Sequence, residues 1–440
     1  MSTPFYSLEK VLSALKIKSL NEMQQASLDA NRQHENLVLL SPTGSGKTLA
    51  FLLPVLDQID PDARGTQALI IAPSRELALQ IEDVAKKMGT GIKITACYGG
   101  HKREIEENNL LEAPALIVGT PGRLGDHIRR ENIKTDTIHT LVLDEFDKSL
   151  EFGFEEEMGF VVNSLPNIRK RILVSATEAV AMPSFLHMEK HETLNFLTGE
   201  PAEALAIKLV KAAEADKLDS LFRLICTLGN RSTIVFLNHR DAVQRTSEFL
   251  KDKGLVNVFY HGALEQPERD AALCKFRNGT SNILVTTDLA ARGLDIPNIR
   301  YIIHYHLPQS EEAFIHRNGR TARMEASGTA ILLIGPGETA PAYVDPATEW
   351  MELPEAVTIP DKPQWTTVHI AGGKKNKINK VDIVGFLTQI GELKKEDIGL
   401  IEVKDFFSFV AIRKSKMNRT LPLIQKQKIK GQRVKIEIAK

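Results

Sequence analysis

Cysteine is scarce: only Cys97, Cys226 and Cys274 occur in 440 residues, far apart and without a CxxC pair. Such spacing excludes a disulfide framework and a cysteine-built zinc site, leaving three small core residues. No run of roughly eighteen apolar residues exists to cross a bilayer as a helix, so no membrane partner is expected. The opening MSTPFYSLEK has neither the basic start nor the apolar centre of a signal peptide, and a cytoplasmic location is expected. Net charge is missing too, with 56 Lys+Arg against 56 Asp+Glu. The balance hides an asymmetry, because residues 365–440 hold 17 basic and 7 acidic side chains, a net of +10 that leaves −10 on the remainder. A basic tail on an acidic body points to nucleic acid at the C-terminal end, although a solvated lysine-rich face would carry the same charge.

What is present is the composition of a soluble globular protein, 42% apolar and 25% charged, in a chain too long for one core. Short β-branched runs alternate with helical stretches: NLVLLS (36–41), QALIIAP (67–73), ALIVGT (115–120), TLVLDE (140–145) and RILVSAT (171–177). The rhythm resumes with STIVFLN (232–238), NILVTTD (282–288), RYIIHYH (300–306) and TAILLIG (329–335). Continuous apolar strands between helices imply parallel sheets covered on both faces, hence two α/β domains in tandem, 1–200 and 207–340. The Gly- and Pro-containing TGEPAEALA (198–206) is the expected link between them, and the proline- and acid-rich 341–364 a second linker. The tail, 365–440, reads as βαββαβ, a small split α/β module whose second helix is expected over TLPLIQKQKI (420–429).

SPTGSGKT (41–48) follows a strand and opens a helix, the setting of a phosphate-binding loop. Ser41, Thr43, Gly44, Ser45 and Gly46 would wrap backbone N–H groups around phosphate, Lys47 would reach the β/γ-phosphates, and Thr48 would hold Mg²⁺. An Asp-Glu pair alone reads as acids at a helix N-terminus. At the end of an apolar strand, in the same sheet as such a loop, Asp144 suits Mg²⁺ and Glu145 a water. The second domain lacks a phosphate loop but has HRNGRTAR (316–323), whose Arg317, Arg320 and Arg323 are expected near one helix start. Guanidinium groups from there could offset charge on a transferring γ-phosphoryl once the two domains close.

With PSRELALQ (73–80), GG (99–100), TPGR (120–123), DEFD (144–147), SAT (175–177), VFLNHR (235–240), QPER (266–269) and TTDLAARGLDIP (286–297), residues 1 to about 340 resemble a DEAD-box ATP-dependent RNA helicase. The resemblance implies two RecA-like domains sharing ATP and Mg²⁺ and gripping RNA. It implies Asp144 for the metal, Glu145 as general base, Lys47, Arg320 and Arg323 in catalysis, and Asp295 near the ribose. Asp147, Ser175, Thr177 and His316 would couple nucleotide to closure, and Pro73, Arg75, Gly100, Thr120, Arg123, Thr287 and Asp288 would contact RNA sugar-phosphate. Contacts of that kind position a strand without reading its sequence. Gln24 falls where the family reads adenine, though Leu20-Asn21 replaces the usual Pro-Thr and Lys16 a glycine. Phe5 is either the aromatic that stacks on adenine or an N-terminal packing residue. Phe146 stands where the family's name has alanine and is expected to point into packing.

The tail resembles the RRM-like RNA-binding module of DbpA-like bacterial DEAD-box proteins, chiefly through residues 381–412, which implies delivery to structured large-subunit ribosomal RNA. Phe407 and Phe409 share one face of a strand, where aromatics either stack on bases or pack. Lys374, Lys375 and Lys377 in GGKKNKINK are the clearer phosphate contacts. The expected function is a monomeric ATP-dependent RNA helicase that remodels ribosomal RNA during ribosome assembly; an ATP-gated RNA clamp or chaperone scaffold with little unwinding is the alternative.

Overall fold

The apolar run Asn36–Leu40 forms β1, flanked in space by strands distant in sequence, as crossover helices between parallel strands require. The computed structural model describes all but residues 1–4, 43, 101–102, 152, 178–181, 198–204, 289–298, 320–327 and 440. The chain divides near residue 201 into two compact units. In the first, β2 (Ala68–Ile71), β3 (Ile94–Cys97), β4 (Leu116–Gly119), β5 (Thr140–Leu143), β6 (Lys170–Ser175) and β7 (Glu192–Asn195) join β1 in the order β3-β4-β2-β5-β6-β1-β7. All the pairings are parallel. Side-chain alternation sends Leu37 and Leu39 to one buried cluster with helix Lys47–Asp57, and Val38 and Leu40 to another with helices Pro121–Arg129 and Glu155–Asn163. Both faces are therefore covered, which explains why these strands read as unbroken apolar runs.

The second unit begins with β8 (Ala206–Lys211), β9 (Thr233–Leu237), β10 (Val258–Tyr260), β11 (Ile283–Thr287), β12 (Tyr301–His304) and β13 (Thr329–Ile334), parallel in the order β10-β11-β9-β12-β13-β8. The two parallel α/β sheets expected from the sequence are thus both present. Its C-terminal part is an antiparallel sheet of β14 (Trp365–Ile370), β15 (Ile398–Val403), β16 (Ser408–Arg413) and, after the short hairpin strands β17 (Lys428–Ile429) and β18 (Gln432–Arg433), β19 (Ile436–Ile438). The strand order β15-β16-β14-β19 and helices Lys380–Gln389 and Lys414–Ile424 complete the module.

The segment 341–364 lies along the second unit: Met351 N–H donates to Leu209 O at 2.7 Å, Leu209 N–H to Glu349 O at 2.9 Å, and Met351, Leu353 and Val357 pack on that unit's core. One expectation changes. The last helix ends at Ile424, earlier than expected, because Met417, Thr420 and Ile424 supply its buried stripe. Beyond it the period is two, with Ile429 buried between exposed Lys428 and Lys430, and the chain turns into β17.

Candidate active site

Each parallel strand of the first unit ends on the same edge, so the loops that follow them gather there. The ends of β5, β6 and β1, neighbours in the sheet, carry DEFD, SAT and the phosphate-loop motif; the ends of β3, β4 and β2 carry GG, TPGR and PSRE. One sheet edge is divided into two adjoining fields.

In the first field, Gly44 and Gly46 have φ of 85° and 90°, backbone that side chains other than hydrogen rarely adopt. A Cβ on Gly46 would also lie 2.6 Å from Gln24 Nε2. Lys47 at the helix start donates to Ser41 O at 2.7 Å, and the Ser41 and Ser45 hydroxyls are 2.6 Å apart. Thr48 is half-buried one residue into the helix, and Thr43 lies outside the described residues.

Gln24 lies beside this loop, as expected, with its amide engaged: Oε1 accepts the Asn21 N–H at 3.0 Å and Nε2 donates to Gly46 O at 3.2 Å. Asn21 returns the bond to the Gln24 N–H at 2.9 Å, closing a capping box, and its Nδ2 donates to Ser45 O at 3.0 Å. Asn21 is the residue that sequence reasoning missed. It registered only as a departure from the family pattern, although the Asn-x-x-Gln spacing carries the capping signal. Phe5 packs partly buried against the core, edge-on to Tyr6 with ring centroids 5.7 Å apart.

Asp144, Glu145 and Asp147 are all buried at the end of β5. The Asp144 carboxyl is pushed up to about 7, first by burial and then by the Glu145 charge, with Lys47 opposing. Glu145 itself takes a φ of 46° and donates its N–H to Asp144 Oδ1 at 2.9 Å. The buried Asp144 carboxyl supplies the hard oxygen donor that a small divalent cation prefers, and such a cation would offset its repulsion with the neighbouring Glu145. Asp147 faces elsewhere and accepts the Thr177 hydroxyl at 3.0 Å, while Ser175 Oγ bonds Thr177 O at 2.7 Å. DEFD and SAT are thereby joined through side chains. Phe146, 3% exposed, points into the core cluster beneath the helices.

In the second field Arg75 starts a helix directly over Gly100, where a Cβ would collide with its guanidinium; Gly100 has a φ of 94°. Pro73 is buried two residues earlier, and Thr120 is the N-cap of the helix that carries Arg123. Arg123 is anchored on Glu106, 2.9 Å away. Cys97, Glu106 and His127 form a buried group of metal-type donors among the described residues. Glu106 is already saturated there by Arg123, by His127 at 2.7 Å and by the Tyr98 N–H at 2.7 Å, and burial raises the Cys97 thiol, so the group reads as a polar strut.

In the second unit Thr287 ends β11 and Asp288 follows it, and His316 is buried on helix Glu311–Asn318. Arg317 does not start a helix as expected. It is buried in that helix's last turn, where its guanidinium donates to Asp288 Oδ2 at 2.6 Å, His306 O at 2.7 Å and Asn238 Oδ1 at 3.0 Å. Its fork is thus used internally. Asp295, Arg320 and Arg323 lie outside the described residues.

The C-terminal module is fixed to the helix Gln266–Arg277. Phe409, 2% exposed, packs with Ala271, Cys274 and Ala439, with Phe407 alongside, and Asn278 Nδ2 donates to Thr367 Oγ1 at 2.8 Å. Both phenylalanines therefore serve packing. Lys374, Lys375 and Lys377 are exposed on the loop after β14.

A DEAD/DEAH box helicase model matches residues 21–183, a helicase conserved C-terminal domain model 216–325, and a DbpA RNA binding domain model 367–438. The chain is 33% identical to the ATP-dependent RNA helicase DbpA of Escherichia coli (strain K12), covering 99% of each chain. It is 30% identical to that of Bacillus subtilis (strain 168), covering 99% of this chain and 98% of that one. Among solved structures, S. cerevisiae Dbp5 bound to RNA and ADP BeF3 covers 76% of this chain and 88% of its own at 30% identity and a TM-score of 0.67. Mss116 bound to ssRNA and UDP-BeF covers 81% and 79% at 25% identity and a TM-score of 0.70. No helix among the described residues is long and apolar enough to cross a membrane. With its acids, phosphate-loop motif and strand-end motifs gathered on one sheet edge and these matches along its length, the chain belongs to the DEAD-box family of ATP-dependent RNA helicases, RNA-stimulated ATPases, and carries a DbpA-type RNA-binding domain.

Proposed function

We propose that this helicase locally unwinds or remodels structured RNA and that its target is large-subunit ribosomal RNA during ribosome assembly. The observation that carries the reading is a basic RNA-binding module, 17 basic against 7 acidic residues, fixed on the same unit as the second helicase sheet. A module attached in this way brings a chosen RNA and the motor together at one place, and its relatives bear the name DbpA.

In this reading the phosphate-loop N–H groups and Lys47 hold the ATP phosphates, and Glu145 orients and deprotonates the attacking water. Thr48 and Asp144 would hold Mg²⁺, which would supply charge neutralisation on the phosphates. Asp147, Ser175, Thr177 and His316 couple the nucleotide state to RNA binding, Arg320 and Arg323 serve catalysis, and Asp295 binds the ribose. Pro73, Arg75, Gly100, Thr120, Arg123, Thr287 and Asp288 grip the RNA backbone, while Lys374, Lys375 and Lys377 recruit the structured target by phosphate attraction. The protein acts as a cytoplasmic monomer.

Steady-state ATPase measured on large-subunit ribosomal RNA and on random-sequence RNA of equal mass tests the target. The half-saturating concentration is expected to be at least about tenfold lower for the ribosomal RNA, a gap of roughly 1.4 kcal/mol. Equal values would remove ribosomal RNA as the target while leaving the helicase.

A further inference from the structure

RNA-binding sheets of this architecture ordinarily offer aromatics on their open face. Here Phe409 is shut against the helix Gln266–Arg277, and Phe407 lies half-buried beside it with ring centroids 5.4 Å apart. The neighbouring aromatic, Phe406, is 54% exposed at the turn between β15 and β16. A lone exposed apolar side chain is ordinary. What distinguishes Phe406 is the chain beside it.

The loop after β14 is bonded to this turn: Lys374 N–H donates to Lys404 O at 2.9 Å, Lys375 N–H to Asp405 O at 2.8 Å, and Ser408 Oγ to Gly372 O at 2.7 Å. Gly373 permits the approach, since a Cβ there would overlap the Lys404 carbonyl oxygen. On its other side the loop is fixed by Lys430 Nζ on Lys377 O at 2.9 Å and Gln432 Nε2 on Asn376 O at 2.8 Å. The exposed Lys374 and Lys375 therefore stand on a braced loop that shares backbone hydrogen bonds with the turn bearing Phe406. The acids nearby are Asp405, exposed on the turn, Glu402, 3.5 Å from both Lys404 and Arg277, and Asp382, 3.2 Å from Lys430.

We propose that Phe406 with Lys374 and Lys375 forms a stacking site for an unpaired RNA base, the ring taking the base and the lysines its flanking phosphates. Stacking on an aromatic and attraction to fixed cations is the general device for single-stranded nucleic acid. It tolerates sequence but demands an unpaired nucleotide. The inference rests on the module's role in RNA binding and adds what the module prefers there.

Fluorescence anisotropy of the full chain without nucleotide tests this, using a labelled hairpin with an unpaired loop and a fully paired duplex of equal length. Phe406→Ala is expected to weaken hairpin binding about ten- to a hundredfold at unchanged salt slope, leaving the duplex unaffected, and Phe406→Trp to restore it. Lys374→Ala with Lys375→Ala is expected to weaken both probes and to lower the log–log salt slope by roughly 1.4 to 1.8. If Phe406→Ala bound the hairpin like the parent while the lysine pair still mattered, the stacking site would be wrong and the RNA-binding role of the loop would stand. If neither substitution changed binding, both would fall.

Discussion

The Glu106 carboxylate accepts the Arg123 guanidinium at 2.9 Å and, on the same oxygen, meets His127 Nε2 at 2.7 Å. Its other oxygen accepts the Tyr98 N–H at 2.7 Å, two residues before Gly100. One buried acid therefore sets both the TPGR arginine and the strand leading into the GG loop.

Glu106→Gln keeps the shape of that acid and removes its charge. Because Arg123 then loses its anchor, the half-saturating RNA concentration for ATPase is expected to rise about fivefold or more, with kcat at saturating RNA nearly unchanged. In an Arg123→Ala background the same substitution should add little, since close pairs couple by roughly 0.5 to 3 kcal/mol. A double-mutant cycle on the RNA concentration dependence measures this; strictly additive effects would show that Glu106 does not act through Arg123.

Asn21 joins two jobs, capping the helix Glu22–Gln33 and donating to Ser45 O in the phosphate loop at 3.0 Å. Serine caps as well as asparagine does but has no amide donor. Asn21→Ser is therefore expected to leave thermal stability within about 0.5 kcal/mol of the parent. The KM for ATP should rise roughly two- to tenfold, the worth of one hydrogen bond. Stability and KM falling together would mean that the cap alone explains the residue.

Phe146, 3% exposed, fills the core cluster under the acid loop. Phe146→Ala should cost about 3 to 5 kcal/mol of first-unit stability through the cavity it leaves. RNA-stimulated turnover, assayed well below the lowered melting temperature, should stay within about twofold of the parent. A large loss of turnover in folded protein would place the ring in the catalytic site.

The parallel sheets were legible because strands buried on both faces must be continuously apolar, and the acid site because Asp144 ends such a run in the same sheet as a phosphate loop. Asn21 and Glu106 were not, since both act through partners distant in sequence that the local pattern does not display: Ser45 for one, Tyr98 and Arg123 for the other. Arg317 misled for a related reason. Three arginines at short spacing look alike in sequence, and only the positions of Asp288, His306 and Asn238 show that the Arg317 fork is buried and used internally. Likewise the alternation of Phe407 and Phe409 revealed a shared face without revealing that a helix of the preceding domain covers it.

His304 gives the second unit a built-in acid sensitivity. It is wholly buried, with Nε2 on Asn318 Oδ1 at 3.0 Å and the Arg317 guanidinium 3.4 Å from Nδ1. Burial, and then that guanidinium, depress its pKa from 6.5 to about 3. The unfolded chain takes up a proton near pH 6.5 and the folded one does not, so this residue's contribution is intact above that pH and is lost progressively down to about pH 3. Between pH 7.5 and 5.5 the loss from His304 alone should be about 1.4 kcal/mol. His261, His306 and His369 are depressed in the same direction, chiefly by burial, and steepen the slope. Both tryptophans, Trp350 and Trp365, belong to the second unit, so their fluorescence in urea follows that unit and not the first. The parent should lose stability over this interval, and His304→Gln, though less stable throughout, should lose about 1.4 kcal/mol less. An identical pH slope in the two proteins would show that His304 charges in the folded state and that its burial beside Arg317 does not hold it neutral.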